Sequence, residues 1–269
     1  MISGAIVLYN TPRQKVDKAI KSYAPDNGRI LFLIDNSKYR TDEYEGVPNI
    51  IYIHNKKNIG YGAANNIGIR MAIERKSRYH TIMNPDVYYD PSVIDDLVTY
   101  ADQNEDIIEI MPRILSPDGE EQYLAKLLPT PKDVFCRRFL SKTKIAKEID
   151  EKYTLKNVDH SKVINAPFLS GCFMFLRVDA LSSNELFFDE RFFMYFEDCD
   201  FCRRVHRIGR TSYYPNVSIV HVHERESYRN PKMLIIHIVS TIKYFCKYGW
   251  LIDAERERVN KKTIDYESR

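Results

Sequence analysis

The strongest constraint on the fold is an alternation of short apolar runs and helix-like segments along the first 111 residues. The helix-like segments follow Pro12, span Ala63 to Lys76, and follow Pro91, each with apolar side chains at helical spacing. Strands and helices that alternate at these lengths indicate an α/β domain, with a mostly parallel central sheet flanked by helices. The five runs that we predict as strands are Gly4 to Tyr9, Ile30 to Ile34, Ile50 to Ile53, Thr81 to Met83 and Ile107 to Met111.

The composition argues against several classes of protein. With 44% hydrophobic residues among 269, the chain can form one large core, and a net charge of +3 is too small to indicate nucleic-acid binding. Its five cysteines are odd in number and show no paired extracellular spacing, so we expect a reducing compartment. Cys199 and Cys202 form a lone CxxC on a predicted helix with no second pair, so we expect neither a zinc nor a redox site there. The N-terminus lacks the basic start of a signal peptide, and we predict a buried strand there.

Polar residues cluster directly after four of the predicted strands. In open α/β sheets, ligands bind in the crevice at the carboxyl ends of the strands. We therefore expect these clusters to line one ligand site. They are Asn10, Asp35 to Ser37, Asn58 to Asn66 and Asn84 to Asp86.

Glycines at two places indicate close approach of the backbone, to a ligand at Gly60 and Gly62 and to a ligand or another backbone at Gly171. Gly60 and Gly62, within Asn58 to Asn66, precede a predicted helix whose N-terminus would attract an anion. The pattern is neither the dinucleotide motif GxGxxG nor a Walker loop, and a tight turn into the helix is the alternative. Gly171, inside a predicted strand from Phe168 to Leu176, marks close approach by a ligand or by another backbone.

Asp86 is a candidate metal ligand. It lies on a turn straight after a buried strand and next to Pro85, so the backbone positions its carboxylate. Mg²⁺ or Mn²⁺ bound to a diphosphate needs only one or two protein carboxylates, because phosphate oxygens and water complete the shell. An ordinary Pro-Asp turn is the alternative.

The stretch from Phe188 to Gly209 contains the best candidates for acid–base chemistry. Glu197 and Asp198, with Asp200, fall at the predicted N-terminus of a helix, where backbone N–H groups favour ionised carboxylates. Mutual repulsion raises at least one of the three pKa values toward neutrality, which suits a general base. The alternative is an acidic cluster that complements the helix dipole, with Asp200 and Arg204 forming an i,i+4 pair.

Three further segments each leave two interpretations open. Residues 129–164 form either a partly helical insertion that faces lipid or acceptor, or a solvated basic face. His221 and His223 lie on one face of a predicted strand, where one of them reaches a metal or phosphate, or both form a surface pair. Leu234 to Ile252 forms either an amphipathic helix at a membrane interface or a helix docked on the core, and its basic residues argue against a membrane span.

Taken in order, these motifs resemble those of the inverting family 2 glycosyltransferases. The likeness is greatest to the bacterial rhamnosyltransferase-like branch, which builds capsule, O-antigen and other surface polysaccharides. The set spans nearly the whole chain, and its order is more specific than any single member. The matching residues are Tyr9 and Asn10, Asp35 to Ser37, Asn58 to Asn66, Asn84 to Asp86, Ser170 and Gly171, Phe188 to Asp200, Arg204, and His221.

The resemblance implies a GT-A fold. Its catalytic domain would cover residues 1–225, with a Rossmann-like nucleotide-sugar-binding half over 1–115 and an acceptor half over 116–225. Residues 226–269 would form a C-terminal helical extension.

The resemblance also implies roles for individual residues. Asp198 would be the catalytic base, with Glu197 as the fallback, and Asp35 would bind the pyrimidine of the donor. The residues implied to bind the nucleotide sugar are Tyr9, Asn10, Asp35, Asn36, Asn58, Gly60, Tyr61, Gly62, Asn65, Asn84, Gly171 and Arg204.

A divalent metal, Mg²⁺ or Mn²⁺, is implied as a cofactor. Asp86 stands for the last acid of the family's metal-binding motif, whereas Asn84 replaces the first acid, so metal binding rests on one carboxylate. His221 would lie near the metal or the diphosphate, and His223 competes for that role.

The implied reaction is inverting transfer of a sugar from a nucleotide-diphosphate donor, dTDP-rhamnose or a UDP-sugar, to a hydroxyl of a lipid-linked or growing glycan. It would take place in the cytoplasm, with peripheral contact to the inner face of the cell membrane and no nucleic acid. One alternative is a sugar-phosphate nucleotidyltransferase. Such an enzyme would have a glycine- and arginine-rich loop directly after the first strand, whereas this chain has Tyr9 to Pro12 at that position. The other is a non-catalytic nucleotide-sugar-binding scaffold.

Overall fold

The computed structural model describes residues 1–26, 28–140, 142–222 and 230–267. Ten strands are defined: β1 (Ile2–Leu8), β2 (Arg29–Asp35), β3 (Ile50–His54), β4 (Tyr79–Met83), β5 (Val87–Tyr88), β6 (Ile107–Leu115), β7 (Ala125–Lys126), β8 (Phe168–Leu169), β9 (Phe173–Arg177) and β10 (Arg210–His221). The helices are α1 (Arg13–Tyr23), α2 (Tyr61–Glu74), α3 (Ser92–Gln103), α4 (Pro131–Phe139), α5 (Lys144–Tyr153), α6 (Val178–Ser183), α7 (Glu197–Val205), α8 (Pro231–Tyr248) and α9 (Ala254–Glu267).

Eight strands form the central sheet, in the order β3-β2-β1-β4-β9-β6-β10-β5. Strands β1 to β4 are mutually parallel, and so are β6 and β10, whereas β9 is antiparallel to both β4 and β6. The short β5 pairs antiparallel with β10, and β7 and β8 form a separate two-stranded sheet. The five strands predicted in the first 111 residues are all present, and their buried apolar side chains form much of the core.

Two strand predictions differ from the structure in instructive ways. The single strand expected from Phe168 to Leu176 is divided into β8 and β9 by a turn at residues 170–172, because β8 pairs with β7 whereas β9 enters the central sheet. Short apolar runs in the sequence also predict two strands, Thr211 to Tyr214 and Val217 to Val222, whereas the structure has one strand there, β10, which ends at His221. Its register against β6 shifts between Tyr214 and Ser218, around a proline that has no N–H to donate.

The C-terminal helices α8 and α9 are fastened to α7 by buried ion pairs. Arg203 of α7, 2% exposed, donates to both carboxylate oxygens of Asp253 and to Glu255. Asp200 of α7, fully buried, accepts from Lys247 and from Tyr248 Oη. Helix α7 is therefore held between the central sheet and the C-terminal helices.

Two sequence predictions concern residues that the structure does not describe. The domain boundary expected between residues 225 and 226 and the histidine at 223 both lie outside the described residues. No helix in the described ranges combines the length and apolar character that crossing a bilayer demands.

Candidate functional site

The carboxyl ends of β1, β4 and β10 border one cavity of about 670 Å³. It forms there because β9 runs antiparallel to β4, so the residues that precede β9 meet those that follow β4. Asn84 N–H donates to the carbonyl of Cys172 (2.9 Å) across this junction. On the other side, His221 pairs in register with Val87, and Val222 N–H donates to the carbonyl of Asp86 (3.0 Å).

Most of the predicted site residues line this cavity. They come from both halves of the chain, which the sheet topology joins. Those on the cavity wall are Tyr9, Asn10, Asn36, Asn58, Tyr61, Asn84, Asp86, Gly171, Glu197, Asp198 and His221. Five others do not line it, namely Asp35, Gly60, Gly62, Asn65 and Arg204.

Asp35 and Arg204 bind other protein groups. Asp35, 3% exposed, accepts hydrogen bonds from Tyr52 Oη (2.6 Å) and from the backbone N–H of Ser37 (2.8 Å), which shapes the turn after β2. Arg204 Nε donates to Asp200 Oδ2 (2.8 Å) on the side of α7 that meets α8. The latter contact is the i,i+4 pair that the sequence offered as an alternative.

The two glycines at the start of α2, Gly60 just before it and Gly62 in its first turn, lie against other parts of the protein and not on the cavity. Gly60 has φ of +95°, and a Cβ there would lie 2.5 Å from the carbonyl oxygen of Phe193. A Cβ on Gly62 would lie 3.0 Å from Cβ of Phe188, and Asn65 Nδ2 donates to the carbonyl of its own helix at Tyr61 (3.1 Å). The sequence interpretation had a ligand close to these glycines, whereas their close neighbours in the structure belong to the aromatic segment before α7.

Asp198 is positioned by backbone contacts on both carboxylate oxygens. Gly171 N–H donates to Oδ2 (3.0 Å) and Cys199 N–H to Oδ1 (2.8 Å). A Cβ on Gly171 would lie only 3.0 Å from Cβ of Asp198, tighter than an ordinary contact, so glycine allows the two segments to approach this closely. Gly171 is fixed in turn by Tyr61, whose Oη donates to the Gly171 carbonyl (2.7 Å).

Glu197 and Asp198 form a coupled acidic pair at the N-terminus of α7. Burial and the neighbouring Asp198 carboxylate raise the pKa of Glu197 well above its ordinary value. Burial also raises the pKa of Asp198, against the Gly171 N–H group and Lys126, which stabilise its anion. Glu197 Oε2 is buried with no hydrogen-bond partner, so the negative charge of the pair resides on Asp198 and the proton on Glu197.

The turn that carries this pair is conformationally strained. Tyr195 and Phe196 both adopt left-handed backbone geometry, with φ of +68° and +66°, which is unfavourable for bulky side chains. Phe196 is also the residue immediately before α7. The strain orients the first turn of α7, and both aromatic residues line the cavity.

Asp86 and His221 converge on one point of the cavity wall. Gln122 Nε2 donates to the His221 carbonyl (2.7 Å), which leaves Gln122 Oε1 to accept from His221 Nδ1 (3.2 Å). Burial lowers the pKa of His221 to about 4, so the ring is neutral. With the proton assigned to Nδ1 by this network, Nε2 presents a lone pair 3.5 Å from Asp86 Oδ1.

Two electron-pair donors facing each other at this distance fit a divalent cation. Within the part of the chain that the structure describes, no group of three or more His, Cys, Asp or Glu could hold a metal by protein ligands alone. The donor set, one carboxylate and one imidazole, therefore fits a metal that also binds phosphate oxygens and water.

The cavity also contains residues that the sequence did not single out. Lys126 is half-buried in its wall, with Nζ over the ring of Phe168, 5.0 Å from the ring centroid. Burial, with a contribution from Arg137, lowers the pKa of Lys126 to about 8, and its charge acts on Asp198. Lys126 and Gln122 belong to a region without periodic hydrophobicity, so no sequence signal marked them.

Comparison with known proteins gives a consistent assignment. Residues 3–184 match the family model described as glycosyl transferase family 2, a range that ends before α7. The low-salt glycan biosynthesis hexosyltransferase Agl10 of Haloferax volcanii is 26% identical over 205 residues, 76% of this chain and 61% of that protein. The N-acetylglucosaminyl-diphospho-decaprenol L-rhamnosyltransferase of Mycobacterium tuberculosis is 27% identical over 215 residues, 76% of this chain and 69% of that protein.

Solved structures of TarS from S. aureus share the fold. The complex with UDP-GlcNAc superimposes with a TM-score of 0.58 at 12% identity, covering 98% of this chain and 71% of TarS 1-349. The complex with UDP gives a TM-score of 0.56 at 14% identity, with coverage of 98% and 70%. These neighbours confirm the predicted GT-A α/β fold. Because the family match covers well over half of its 269 residues, the chain belongs to glycosyltransferase family 2.

Proposed function

We propose that this chain is an inverting glycosyltransferase that moves a sugar from a nucleotide-diphosphate donor to a hydroxyl of a lipid-linked or growing glycan. The observation that carries the proposal is the convergence of Asp198 and Asp86, from opposite halves of the chain, on one cavity. Both carboxylates lie close enough to Cys172 to add to the effect of burial, which raises the pKa of that thiol to about 12.

Asp198 acts as the general base. Its carboxylate accepts the proton of the acceptor hydroxyl, and the oxygen attacks the anomeric carbon on the face opposite the donor diphosphate. The bond between the anomeric carbon and the diphosphate oxygen breaks with its electron pair on that oxygen, so the configuration inverts in a single displacement. The raised pKa of Asp198 favours this step, because a base that is too acidic accepts a proton poorly.

The donor diphosphate binds at the turn after β4. Asn84 and Asp86 lie on that turn, and His221 faces it from the end of β10. Asp86 and His221 would hold Mg²⁺ or Mn²⁺, which when bound neutralises charge on the leaving diphosphate. The imidazole nitrogen favours Mn²⁺ over Mg²⁺ in this pair of ligands.

The nucleotide lies toward β1 and β2, against Tyr9, Asn10, Asn36 and Asn58, which form that end of the cavity. We propose dTDP-rhamnose or a UDP-sugar as the donor. The rhamnosyltransferase named above and the TarS complexes with UDP and UDP-GlcNAc support these two choices.

The acceptor approaches from the side of Lys126 and Asp198. Lys126, half-buried in the cavity wall, attracts an anionic group of the acceptor, such as a phosphate attached to the acceptor sugar. The name of the M. tuberculosis relative specifies such an acceptor, a sugar linked to a decaprenyl diphosphate. We therefore propose a lipid-linked acceptor and peripheral contact with the inner face of the cell membrane, in the synthesis of a surface polysaccharide such as capsule or O-antigen.

Ligand-dependent thermal stabilisation followed by product analysis tests the proposal. The purified chain is heated with dTDP-rhamnose, UDP-sugars, the free diphosphates and nucleoside triphosphates, with and without Mn²⁺. Stabilisation by a nucleotide sugar, followed by release of its diphosphate on adding an acceptor, is the expected result.

Two other outcomes would replace the proposal. Stabilisation by a triphosphate but not by any nucleotide sugar would identify a sugar-phosphate nucleotidyltransferase. Stabilisation by a nucleotide sugar that no acceptor consumes would identify a binding scaffold.

A further inference from the structure

Helix α8 is apolar on two opposite faces. Its inner face packs on the core through Ser240, Tyr244 and Phe245, which are at most 2% exposed. Packing on the core accounts for this face alone. On the outer face, residues spaced i, i+3, i+4 and i+7 are exposed, namely Ile235 (62%), Ile238 (42%), Val239 (43%) and Ile242 (46%).

A second exposed apolar group lies on α4 and the start of α5. The rings of Phe135 and Phe139, 55% and 59% exposed, are 5.1 Å apart, and Leu140 and Ile145 continue the surface. Exposed aromatic pairs of this kind are unusual on a free protein surface and typical of a binding surface. The α4–α8 face is defined by these four residues together with Ile235, Ile238, Val239 and Ile242.

Both parts of the α4–α8 face border the candidate site. Arg137 and Arg138 of α4 and His237 of α8 line the cavity. Burial lowers the pKa of His237 to about 4, and the charges of both arginines contribute, so the two helices are neighbours. The apolar surface therefore flanks the cavity in which transfer is proposed.

Positive charge is concentrated around this face. Residues 131–147 contain six Lys or Arg and one Asp, although the whole chain carries only +3. Of the lysines of α8, Lys247 pairs with Asp189 and Asp200 and Lys243 donates to the Arg191 carbonyl, so the excess of positive charge lies on α4 and the start of α5. A second copy of the chain is a poor partner, because a symmetric contact through this face would bring the basic residues of both copies together. Exposed isoleucines and phenylalanines ringed by basic side chains match an anionic lipid surface.

We propose that the α4–α8 face docks on a bilayer that contains anionic lipid, with its isoleucine and phenylalanine side chains among the acyl chains and its lysines on the headgroups. This orientation holds the cavity beside the lipid surface. The inference rests on the proposed function in one respect, that a lipid-linked acceptor would be presented there.

Vesicle flotation of the full chain tests the proposal. The vesicles are phosphatidylcholine alone or phosphatidylcholine with one third phosphatidylglycerol. We expect the wild-type chain to float with the anionic vesicles at low salt and to be released partly by high salt. Ile235→Glu combined with Ile238→Glu should weaken binding by about tenfold or more, because charges replace inserted side chains.

A second double variant separates charge from insertion. Lys142→Glu combined with Lys144→Glu should weaken binding to anionic vesicles by about tenfold or more and leave the weak binding to neutral vesicles unchanged. The matched control reverses two exposed basic residues at the far end of α2, Arg75→Glu with Lys76→Glu, and should bind like wild type. Unchanged thermal unfolding of each variant shows that its fold is intact.

The proposal is overturned if the wild-type chain binds neither vesicle, or if both double variants float like wild type. It is also overturned if the wild-type chain is a dimer that the isoleucine variant converts to a monomer, since the face would then join two copies. Transfer to a soluble glycoside acceptor keeps the two proposals apart. Loss of flotation with intact transfer removes only the docking surface, and flotation without transfer removes only the proposed function.

Discussion

The assignment of Asp198 as the base leads to a sharp comparison between two adjacent acids. Asp198→Asn removes the proton acceptor and should lower turnover by about 10²–10⁴, which corresponds to a barrier about 3–5 kcal/mol higher. Both oxygens of Asp198 accept a backbone N–H group, so the new amide NH₂ would face one of these donors. We expect a loss of about 1–3 kcal/mol in the free energy of unfolding from this clash, with donor binding retained.

Glu197→Gln should have a different signature. Burial and the Asp198 carboxylate raise the pKa of Glu197 well above its ordinary value, so Glu197 holds the proton of the pair, and glutamine is an uncharged residue of similar shape. Since Asp198 must be ionised to accept a proton, the rate rises with pH through its pKa. Because the neighbour is uncharged in both proteins, the acid limb of the pH–rate profile should stay at the same pH, with turnover at neutral pH within about tenfold of wild type.

Both variants are measured by release of the nucleotide diphosphate over a series of pH values, with saturating donor and acceptor. Thermal stabilisation by the donor reports whether each variant still binds it. Undiminished turnover in Asp198→Asn would refute the assignment. So would a larger loss in Glu197→Gln than in Asp198→Asn, because the base would then be Glu197.

Three further changes test the packing around the site. Gly171→Ala would bring a Cβ within 3.0 Å of Asp198 Cβ, so turnover should fall by about tenfold or more while circular dichroism stays the same; equal turnover would contradict the importance of this close approach. Asp253→Ala leaves the buried Arg203 without its bidentate partner. The free energy of unfolding, measured in urea, should fall by about 3–5 kcal/mol, and a loss below about 1 kcal/mol would show that the pair does not stabilise the fold. Burial raises the pKa of Glu109 to about 8, whereas the unfolded chain loses that proton near its ordinary pKa. The wild-type protein should therefore lose stability as pH rises from about 5 to 8. Glu109→Gln should flatten this dependence in urea unfolding at several pH values, and an unchanged slope would refute the reasoning.

The strands of the first half could be predicted because the signal is local. Each buried strand is a short apolar run closed by polar residues, and the helices between them show helical spacing. Ligands in open α/β sheets bind at the carboxyl ends of the strands, which predicted that Asn10, Asn84 and Asp86 share one site. All three line the same cavity in the structure.

The partners of the glycine-rich segment could not be predicted, because they are more than 100 residues away along the chain. Gly60 approaches Phe193, and the side chain of Asn66 both donates to and accepts from the backbone of Phe188 (2.9 and 2.8 Å). A glycine signals that something comes close, but the identity of that group depends on the tertiary fold. The segment Asn58 to Asn66 therefore joins the N-terminal half of the chain to the aromatic segment before α7. Tyr61 also donates a hydrogen bond to the Gly171 carbonyl.

Residues of the irregular region before α4 were missed for a different reason. Lys126 lies on a two-residue strand and Gln122 next to an isolated bridge between Leu115 and Glu121, so neither belongs to a periodic pattern. Each contacts its partner because of where its side chain points. Gln122 hydrogen-bonds Nδ1 of His221, and the charge of Lys126 lowers the pKa of Asp198. Both are consequences of side-chain orientation, which composition and spacing do not carry.

The position of Asp198 depends on helix α8 as well as on the central sheet. Two successive aromatic residues with positive φ are unfavourable by about 1 kcal/mol or more each, so surrounding contacts must stabilise the turn before α7. Helix α8 supplies them, since the ring of Phe196 lies 5.1 Å from that of Tyr244 and 5.7 Å from that of His237. The same helix carries the outer apolar face proposed to meet lipid, so binding of that face to a bilayer would act on the turn before α7 that positions Asp198.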